Sequence, residues 1–298
     1  MWASHHGSME AQSAREPMMQ KTWFITGASR GLGALIAKAA IRAGDRVVAT
    51  GRKREDIVKS LGQDNDQLLS AELDVTDAAQ AHAAVKAAVS RFGGIDVLVN
   101  NAGYGHLGFF EENTIEDVQA QFATNLFGVF NVTWAALPVM RAARHGRIFN
   151  ISSLAGILGA ELGSLYCASK FALEGFSESL AKEIAPFGLF VTIVEPGPFR
   201  TDFLTGESLR FGQTMVADYD DRRGRLRASF EQRDGQQPGD PVKLAQALVD
   251  LANESAPPMR FVAGSVAVNA ADAKLAGMQA ELDRWRTLSV ATDGDYPA

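Results

Sequence analysis

The stretch Lys21-Thr-Trp-Phe-Ile-Thr-Gly-Ala-Ser-Arg-Gly-Leu-Gly33 decides the fold class. Its first six residues predict a short buried strand, the glycines that follow predict a turn, and residues 34–43 continue as a helix. Strand, glycine-rich turn and helix in this order are typical of the first unit of an α/β sheet.

The glycines of this turn are spaced G-x-x-x-G-x-G, at Gly27, Gly31 and Gly33. Small residues let the backbone approach a pyrophosphate closely, and the start of the helix presents unpaired N–H groups to it. The spacing differs from G-x-G-x-x-G, so a simple turn is the alternative. Because the glycines directly follow the first strand, we expect a phosphate-binding turn.

The alternation of strands and helices continues along the chain, which predicts one doubly wound parallel α/β sheet of about seven strands with helices on both faces. Residues 1–20 contain His5-His6 and are interpreted as a tag remnant with a disordered lead, which leaves 21–298 as a single domain. Further strands are predicted at 46–50, 68–73, 95–99, 146–151, 190–195 and 260–263, and further helices at 78–92, 114–144, 164–185, 241–253 and 267–288.

Composition excludes several classes of protein. The net charge of −6 argues against a nucleic-acid binder, and no apolar run reaches the roughly 18 residues of a membrane span. The one cysteine, Cys167, allows no intrachain disulfide and favours a reducing, cytoplasmic location. We found no convincing metal-ligand cluster, and therefore expect a small-molecule substrate, with no nucleic acid, membrane or metal involved.

Two arginines predict the nucleotide that the glycine turn would bind. In a dinucleotide-binding fold the end of the second strand meets the adenosine ribose, where an acidic residue would accept a hydrogen bond from a free 2′-hydroxyl. This chain has Arg52 there and Arg30 in the glycine turn. Two guanidinium groups suit a 2′-phosphate, which favours NADP(H). The alternative is that 52–54 is a solvated loop.

Polar residues also end the third and fourth strands. Asp74, which Val75 follows, is placed to bond the adenine amino group or, alternatively, to cap the helix that starts near Asp77. Asn100-Asn101-Ala102-Gly103 ends the fourth strand, where α/β folds bind ligands, and an Asx-type turn is the alternative.

Tyr166 and Lys170 are four residues apart on a predicted helix and therefore lie on one face of it. A neighbouring ammonium group favours the phenolate, so we expect a lowered tyrosine pKa and a side chain able to exchange a proton. Ser153 lies thirteen residues upstream, where its hydroxyl would hold a substrate oxygen. Asn125 sits inside a long predicted helix and is expected to bend it or to hold a water.

Together these residues resemble the short-chain dehydrogenase/reductase family over residues 22–263. The resemblance implies a sheet with strand order 3-2-1-4-5-6-7, and residues 166–181 and 195–203 are most similar to the hydroxysteroid and retinol dehydrogenase branch. It is carried, in family order, by TGASRGLG at 26–33, NNAG at 100–103, Asn125, Ser153, YCASK at 166–170 and PGPFRT at 196–201.

The resemblance implies four catalytic residues. Tyr166 would be the acid or base, and Ser153 would hold the carbonyl or hydroxyl oxygen. Lys170 would bond the nicotinamide ribose and lower the Tyr166 pKa, and Asn125 would organise a proton-relay water with Lys170. Thr201 would bind the carboxamide. The complete set of expected cofactor contacts is Gly27, Ser29, Arg30, Gly31, Leu32, Gly33, Arg52, Asp74, Val75, Asn101, Ala102, Gly103, Tyr166, Lys170, Pro196, Gly197 and Thr201.

These residues predict an NADP(H)-dependent oxidoreductase that interconverts a bulky apolar ketone and its secondary alcohol, with Tyr166 as acid or base. One alternative is a 3-oxoacyl thioester reductase, in which the four arginines within 222–227 would meet an acidic carrier protein or coenzyme A. The other is a non-catalytic NADP(H)-binding regulator on the same fold, against which the intact catalytic set argues.

The segment 202–239 is too long for an ordinary connection and mixes apolar residues with charges. We expect a mobile substrate lid whose inner face, including Phe203 and Leu204, covers an apolar substrate; a disordered insertion is the alternative. The opposite wall is predicted to consist of Tyr104, Leu154, Ile157, Leu158, Leu162 and Phe199.

The helices predicted at 114–144 and 164–185 carry apolar residues on more than one face, among them Trp134 and Phe171. A sheet covers only one face of each helix. Members of the family usually pair these two helices across a two-fold axis, so we expect a homodimer or homotetramer. A larger intramolecular core is the alternative.

Overall fold

The computed structural model describes residues 20–204 and 208–294. The predicted lead at 1–20 therefore falls, apart from its last residue, outside the described chain. The strands are β1 (Thr22–Ile25), β2 (Arg46–Gly51), β3 (Leu68–Glu72), β4 (Val97–Asn100), β5 (Gly105–Leu107), β6 (Gly146–Ile151), β7 (Leu189–Pro196), β8 (Leu209–Phe211) and β9 (Arg260–Ala263). The helices are α1 (Gly31–Arg42), α2 (Arg54–Leu61), α3 (Ala78–Phe92), α4 (Ile115–Phe122), α5 (Gly128–Ala143), α6 (Ser164–Ile184), α7 (Asp220–Arg233), α8 (Pro241–Asn253) and α9 (Ser265–Val290).

The main sheet has seven parallel strands in the order β3-β2-β1-β4-β6-β7-β9. Counted along the chain without the short strands β5 and β8, this is 3-2-1-4-5-6-7, which confirms the predicted fold class and strand order. The order reverses between β1 and β4. The chain therefore leaves these strands in opposite directions and opens a crevice at their carboxyl ends.

Both faces of the sheet are buried, which explains why its strands are apolar without alternation. Trp23 and Ile25 of β1 belong to an apolar cluster with residues of α1 and α8 on one face. Phe24, between them, belongs to a second cluster with residues of α3, α5 and α6 on the other face. Successive side chains of a strand point to opposite faces, so each strand supplies both layers.

The helix predicted at 114–144 is interrupted at Asn125. Helix α4 begins at a capping box in which the Thr114 hydroxyl accepts from the Asp117 N–H and the Asp117 carboxylate accepts from the Thr114 N–H. A π-helical turn, Ala123–Phe127, then joins α4 to α5 and contains Asn125. Such turns occur often at functional sites.

The continuous helical stretch Ile115–Ala143 is long and apolar enough, by length and composition, to cross a membrane. This differs from the expectation that no such stretch exists. The inner side of its second half packs on α3 and on strands β4 and β6, with Val132, Ala136 and Met140 buried there. Packing in the core accounts for the apolar residues on this inner side of the helix.

The segment 202–239 contains more regular structure than its sequence predicts. Strand β8 pairs in parallel with β5, and α7 follows. Three-residue strands are too short to show a periodic pattern, and α7 is polar apart from Leu226 and Phe230, which is why sequence analysis missed them. These elements enclose a small apolar cluster of Leu107, Leu162, Leu209, Phe109, Phe211, Leu226 and Phe230.

Candidate active site

A cleft of about 660 Å³ opens at the carboxyl ends of β1, β4, β6 and β7. Most predicted site residues meet in this cleft, although they are spread over about 175 residues of sequence. Those that line it are Gly27, Ser29, Arg30, Gly31, Leu32, Arg52, Asp74, Val75, Asn101, Ala102, Gly103, Tyr104, Ser153, Tyr166, Lys170, Pro196, Gly197, Phe199, Thr201 and Phe203.

The glycine turn forms one wall of the cleft. Gly27 and Gly31 have φ values of +65° and +54°, which favour glycine. Gly33 lies behind the wall: a Cβ there would come within 2.4 Å of the Gly27 carbonyl oxygen and 2.5 Å of Asn101 Nδ2. Gly33 therefore allows α1 to pack closely on the end of β4.

The start of α1 fits an anionic group. Within the described residues, no side chain caps its first turn, so the first N–H groups of the helix point toward the cleft without a capping partner. Asn101 closes the turn from the other side, since its Nδ2 donates to the carbonyl oxygens of Thr26 at 2.9 Å and Gly27 at 3.2 Å. Open N–H groups at a helix N-terminus suit a phosphate.

Ser153 and Tyr166 bring two hydroxyl groups together at the floor of the cleft. Ser153 follows β6, Tyr166 lies in the first turn of α6, and the Ser153 hydroxyl lies near enough to the phenol to favour a lower Tyr166 pKa. The Phe203 ring lies 5.7 Å from the Tyr166 ring, centroid to centroid. The arrangement can hold an oxygen atom between a hydrogen-bond donor and a proton donor.

Lys170 lies one turn after Tyr166, with its Nζ 5.8 Å from the centroid of the tyrosine ring. The ammonium group is buried and donates to the Ile151 carbonyl oxygen at 2.8 Å. Burial lowers the pKa of Lys170 to about 8, and the charge of Glu174 acts in the opposite direction.

The expected fall in the Tyr166 pKa is not what the structure shows. Burial raises the pKa of Tyr166 to about 12, and the nearby Ser153 hydroxyl offsets only part of this effect. The expectation was wrong in direction because burial disfavours the charged phenolate, while the Lys170 ammonium group is directed at a backbone carbonyl.

Asn125 is buried behind the cleft and does not line it. Its Oδ1 accepts from the Tyr104 N–H at 3.1 Å, while its Nδ2 donates to the Tyr104 carbonyl at 3.0 Å and the Ser169 hydroxyl at 3.2 Å. A Cβ at Gly103 would lie 3.1 Å from Asn125 Oδ1 and 3.8 Å from Lys170 Nζ. Asn125 thus holds the chain after β4 beside Lys170, and its link to a relay water stays a prediction.

The other end of the cleft carries the residues predicted to meet adenosine. Asp74 Oδ1 accepts from the Thr76 N–H and hydroxyl at 2.9 and 2.8 Å. Asp77, and not Asp74, caps α3, which removes the capping alternative for Asp74. Arg52 is exposed at the rim, and Arg30 donates to the Ser208 hydroxyl at 2.9 Å.

The cleft contains only some of the residues predicted to form the substrate wall. Tyr104, Phe199 and Phe203 line the cleft, and the side chain of Leu204 falls outside the described part of the chain. Leu154, Ile157, Leu158 and Leu162 do not line it. The chain turns away from the cleft in a 3₁₀ turn, Leu154–Gly156, and Leu162 is buried in the apolar cluster beside β5 and β8.

Arg210, which was not among the predicted site residues, also lines the cleft, with its guanidinium carbon 4.3 Å from the centroid of the Tyr104 ring. No motif marks it, because it lies within the polar segment 202–239. Within the described residues no group of three histidine, cysteine, aspartate or glutamate side chains is arranged to hold a metal ion.

A family model described as short chain dehydrogenase matches residues 21–209. Oxidoreductase BOA17 of Botryotinia fuckeliana (strain B05.10) is 40% identical over 275 residues, which cover 92% of this chain and 100% of that protein. The chain belongs to the short-chain dehydrogenase family. The 3-ketodihydrosphingosine reductase of Bacteroides thetaiotaomicron is 38% identical over 249 residues, 83% of this chain and 89% of that protein.

Solved structures agree with this family assignment. A short-chain dehydrogenase from Streptomyces avermitilis superposes with a TM-score of 0.84 at 38% identity, covering 93% of this chain and 100% of that one. ElxO with NADP bound superposes with a TM-score of 0.68 at 28% identity, covering 82% of this chain and 96% of that one. The 3-ketoacyl-(acyl-carrier-protein) reductase from Brucella melitensis, complexed with NADH, superposes with a TM-score of 0.69 at 26% identity. The match covers 81% of this chain and 95% of that one.

A cluster of charges with two buried carboxylates, Glu174 and Glu195, lies beneath the active-site cleft of this short-chain dehydrogenase. The Ser152 hydroxyl donates to Glu174, and Arg260 binds Glu174, Glu178 and Glu195. Burial, together with the charge of Glu174, raises the pKa of Glu195 well above its usual range. No local pattern in the sequence predicts this cluster, because its members come from α6, β7 and β9.

Proposed function

We propose that this short-chain dehydrogenase is an NADP(H)-dependent oxidoreductase that interconverts a bulky apolar ketone and its secondary alcohol. The hydroxyls of Ser153 and Tyr166, which lie near each other in the cleft, and Lys170, one helical turn after Tyr166, carry the proposal. The family assignment and the NADP- and NADH-bound relatives support a nicotinamide cofactor. When bound, the nicotinamide supplies or accepts the hydride.

The roles of the side chains follow from their positions. Ser153 holds the substrate oxygen by a hydrogen bond, and Tyr166 donates the proton to that oxygen during reduction. With a pKa of about 12, the phenol carries its proton at neutral pH and is available as the donor. The buried Lys170 ammonium group bonds the cofactor ribose and stabilises negative charge near the phenol.

The aromatic lining supports a bulky apolar substrate. Phe203 lies beside Tyr166, and Tyr104 and Phe199 also line the cleft. A relative that acts on a long-chain ketone, as the name 3-ketodihydrosphingosine reductase indicates, agrees with this substrate class. Phe203 comes from the segment 202–239, which we propose acts as the substrate lid.

The alternative of a thioester reductase has weaker support. Arg222 pairs with Glu161, and Arg223 pairs with the buried Glu112 and with Asp220. Arg227 lies over the Phe211 ring at 4.4 Å. Three of the four arginines that would meet an acidic carrier or coenzyme A are thus engaged with groups of the chain itself.

A substrate panel tests the proposed function. NADPH oxidation is measured with cyclic ketones, a long-chain aliphatic ketone, a 3-oxoacyl thioester and an aldose sugar. We expect turnover of the apolar ketones and a raised KM for them in Phe203→Ala. Preferred turnover of the thioester would contradict the substrate class, and tight NADPH binding with no turnover of any compound would indicate a regulator.

We predict that NADPH is preferred to NADH and that Arg52 carries much of the preference. A charge-assisted hydrogen bond contributes about 1.5–3 kcal/mol. Arg52→Ala should therefore reduce the ratio of kcat/KM for NADPH to kcat/KM for NADH by roughly ten- to hundredfold. Arg54→Ala is the control, because Arg54 pairs with Asp64 at 2.7 Å and does not line the cleft. Equal kcat/KM for both cofactors in the unaltered protein would rule out this specificity.

The pH dependence of kcat/KM for NADPH should follow the protonation state of Lys170. Its pKa of about 8 means that the ammonium group is present below this pH and is lost above it. We therefore expect kcat/KM for NADPH, which reflects the free enzyme, to fall as the pH rises through about 8. Glu174→Gln removes a charge that raises the Lys170 pKa, so the fall should move to lower pH. A profile flat to pH 10 would contradict the role of Lys170.

The exposed aromatic residues of α5 and α6 support a homo-oligomer. Phe127 and Trp134 flank the outer face of α5, and Phe171 lies on the outer face of α6; all three are exposed in the single chain. Large apolar side chains that lie close together on a surface favour contact with another protein. We propose that this surface pairs two copies of the chain.

A further inference from the structure

Helix α9 projects beyond the body of the protein. Its first turns pack on β9 and on the turn Leu154–Gly156, with Ala267 and Ala271 buried. The residues from Leu275 to Val290 are exposed within the described chain. An isolated helix of this length is marginal in water, since most helical stability comes from packing of an apolar face.

One stripe of α9 is continuous and apolar. Val268, Ala271, Leu275, Met278, Leu282 and Trp285 follow one another at alternating spacings of three and four residues. The last four have 63%, 54%, 51% and 52% of their surface exposed. A seven-residue repeat of this kind is typical of the seam between two paired helices, and not of the wider stripe that faces a globular core.

The charges of α9 favour another copy of the same helix over a membrane. Three acidic residues, Asp272, Glu281 and Asp283, balance three basic residues, Lys274, Arg284 and Arg286, so the net charge of the helix is zero. Helices that lie on membranes usually carry an excess of lysine and arginine on the polar face. A neutral polar face with both signs of charge suits self-pairing instead.

We propose that α9 pairs antiparallel with α9 of a second copy of this chain, across a two-fold axis near Ala280. In this register Leu275 of one copy packs on Trp285 of the other, and Met278 packs on Leu282. Asp272 of each copy then faces Arg286 of the other. These two residues are fourteen positions, about 21 Å, apart on one helix, so they meet only between copies.

This contact differs from the proposed pairing through Trp134, which lies on α5. Two different two-fold contacts multiply the number of copies, giving a tetramer, whereas α9 alone gives a dimer. In either case, loss of the α9 contact halves the mass of the particle. The mass is read without reference to activity, so failure of this proposal and failure of the proposed enzymatic function remain separate results.

The first test compares Leu282→Glu, in the stripe, with Ala280→Glu, on the opposite side of the same helix. Light scattering should show half the mass for Leu282→Glu and an unchanged mass for Ala280→Glu. Each substitution occurs twice in the symmetric contact, so we expect the dissociation constant to rise by about a hundredfold or more for Leu282→Glu. Circular dichroism and the thermal midpoint confirm that both variants are folded.

The second test exchanges charges. Asp272→Arg and Arg286→Asp should each weaken association, because like charges then face each other, and the double variant should restore it. Restoration is expected only for an antiparallel pair, since the two residues do not meet within one helix or in a parallel one.

Four results would overturn the proposal. They are a monomeric unaltered chain, equal effects of Leu282→Glu and Ala280→Glu, no effect of Leu282→Glu, and no restoration in the charge exchange. A monomer that binds vesicles of anionic phospholipid would make the membrane the occupant of the stripe. A monomer that dimerises once residues 1–19 are deleted would make that segment the occupant.

Discussion

Replacement of Tyr166 by phenylalanine should lower kcat by about a thousandfold, the range expected for loss of a general acid. The substitution removes only the phenolic oxygen, which lies near the Ser153 hydroxyl, and keeps the ring beside Phe203. Cofactor binding should therefore change by no more than about twofold, because the expected loss is confined to proton transfer. Steady-state kinetics with the best ketone of the panel and titration of NADPH fluorescence measure the two quantities.

Tyr104 provides a matched control for this experiment. It also lines the cleft, but its hydroxyl is buried without a hydrogen-bond partner among the described residues. Tyr104→Phe should leave kcat nearly unchanged, because it removes a hydroxyl group that takes no part in the proposed proton transfer. If Tyr166→Phe kept more than a few per cent of kcat, or if Tyr104→Phe lost as much, another group would be the acid.

Replacement of Lys170 by methionine should reduce both kcat and NADPH affinity without reducing stability. The buried ammonium group has a pKa lowered from 10.5 to about 8, which corresponds to a cost of about 3 kcal/mol below pH 8. Methionine removes this cost but leaves the Ile151 carbonyl unpaired, a loss of about 1–3 kcal/mol. The two effects nearly cancel, so the thermal midpoint at pH 7 should stay the same or rise.

The activity of the Lys170→Met protein should nevertheless fall by at least about a hundredfold in kcat, since a fixed charge next to the reacting groups is lost. Scanning calorimetry and kinetics at pH 7 give the two measurements. Lys182→Met, an exposed substitution at the other end of α6, should alter neither. A large fall in the thermal midpoint of Lys170→Met with retained kcat would show that Lys170 serves structure and not catalysis.

The penalty of burying Lys170 has a defined pH window. The unfolded lysine holds its proton up to its ordinary pKa, and the folded one only up to about 8. Stability of the unaltered protein should therefore rise with pH between these values, because the unfolded state binds more protons there. The Lys170→Met protein, which lacks this titration, should therefore lose stability relative to the unaltered protein over the same range.

Local features of the sequence were sufficient for the fold and for the location of the cleft. The alternation of apolar strands with helices predicted the sheet and the family resemblance predicted its strand order, both as observed. Gly27 and Gly31 occupy left-handed backbone conformations that few other residues adopt, so their spacing marked the turn after β1. Such features depend on neighbours in sequence and can be recognised without knowledge of packing.

Contacts between distant residues decided what the sequence did not predict. The direction of the Tyr166 pKa depends on desolvation by surrounding elements, and the side chain of Asn125 is directed by Tyr104 and Ser169. Leu162 packs against β5 and β8 instead of facing the cleft because two three-residue strands, too short to be predicted, form an apolar site for it. Burial and partner choice are properties of the folded chain, and no spacing along the sequence encodes them.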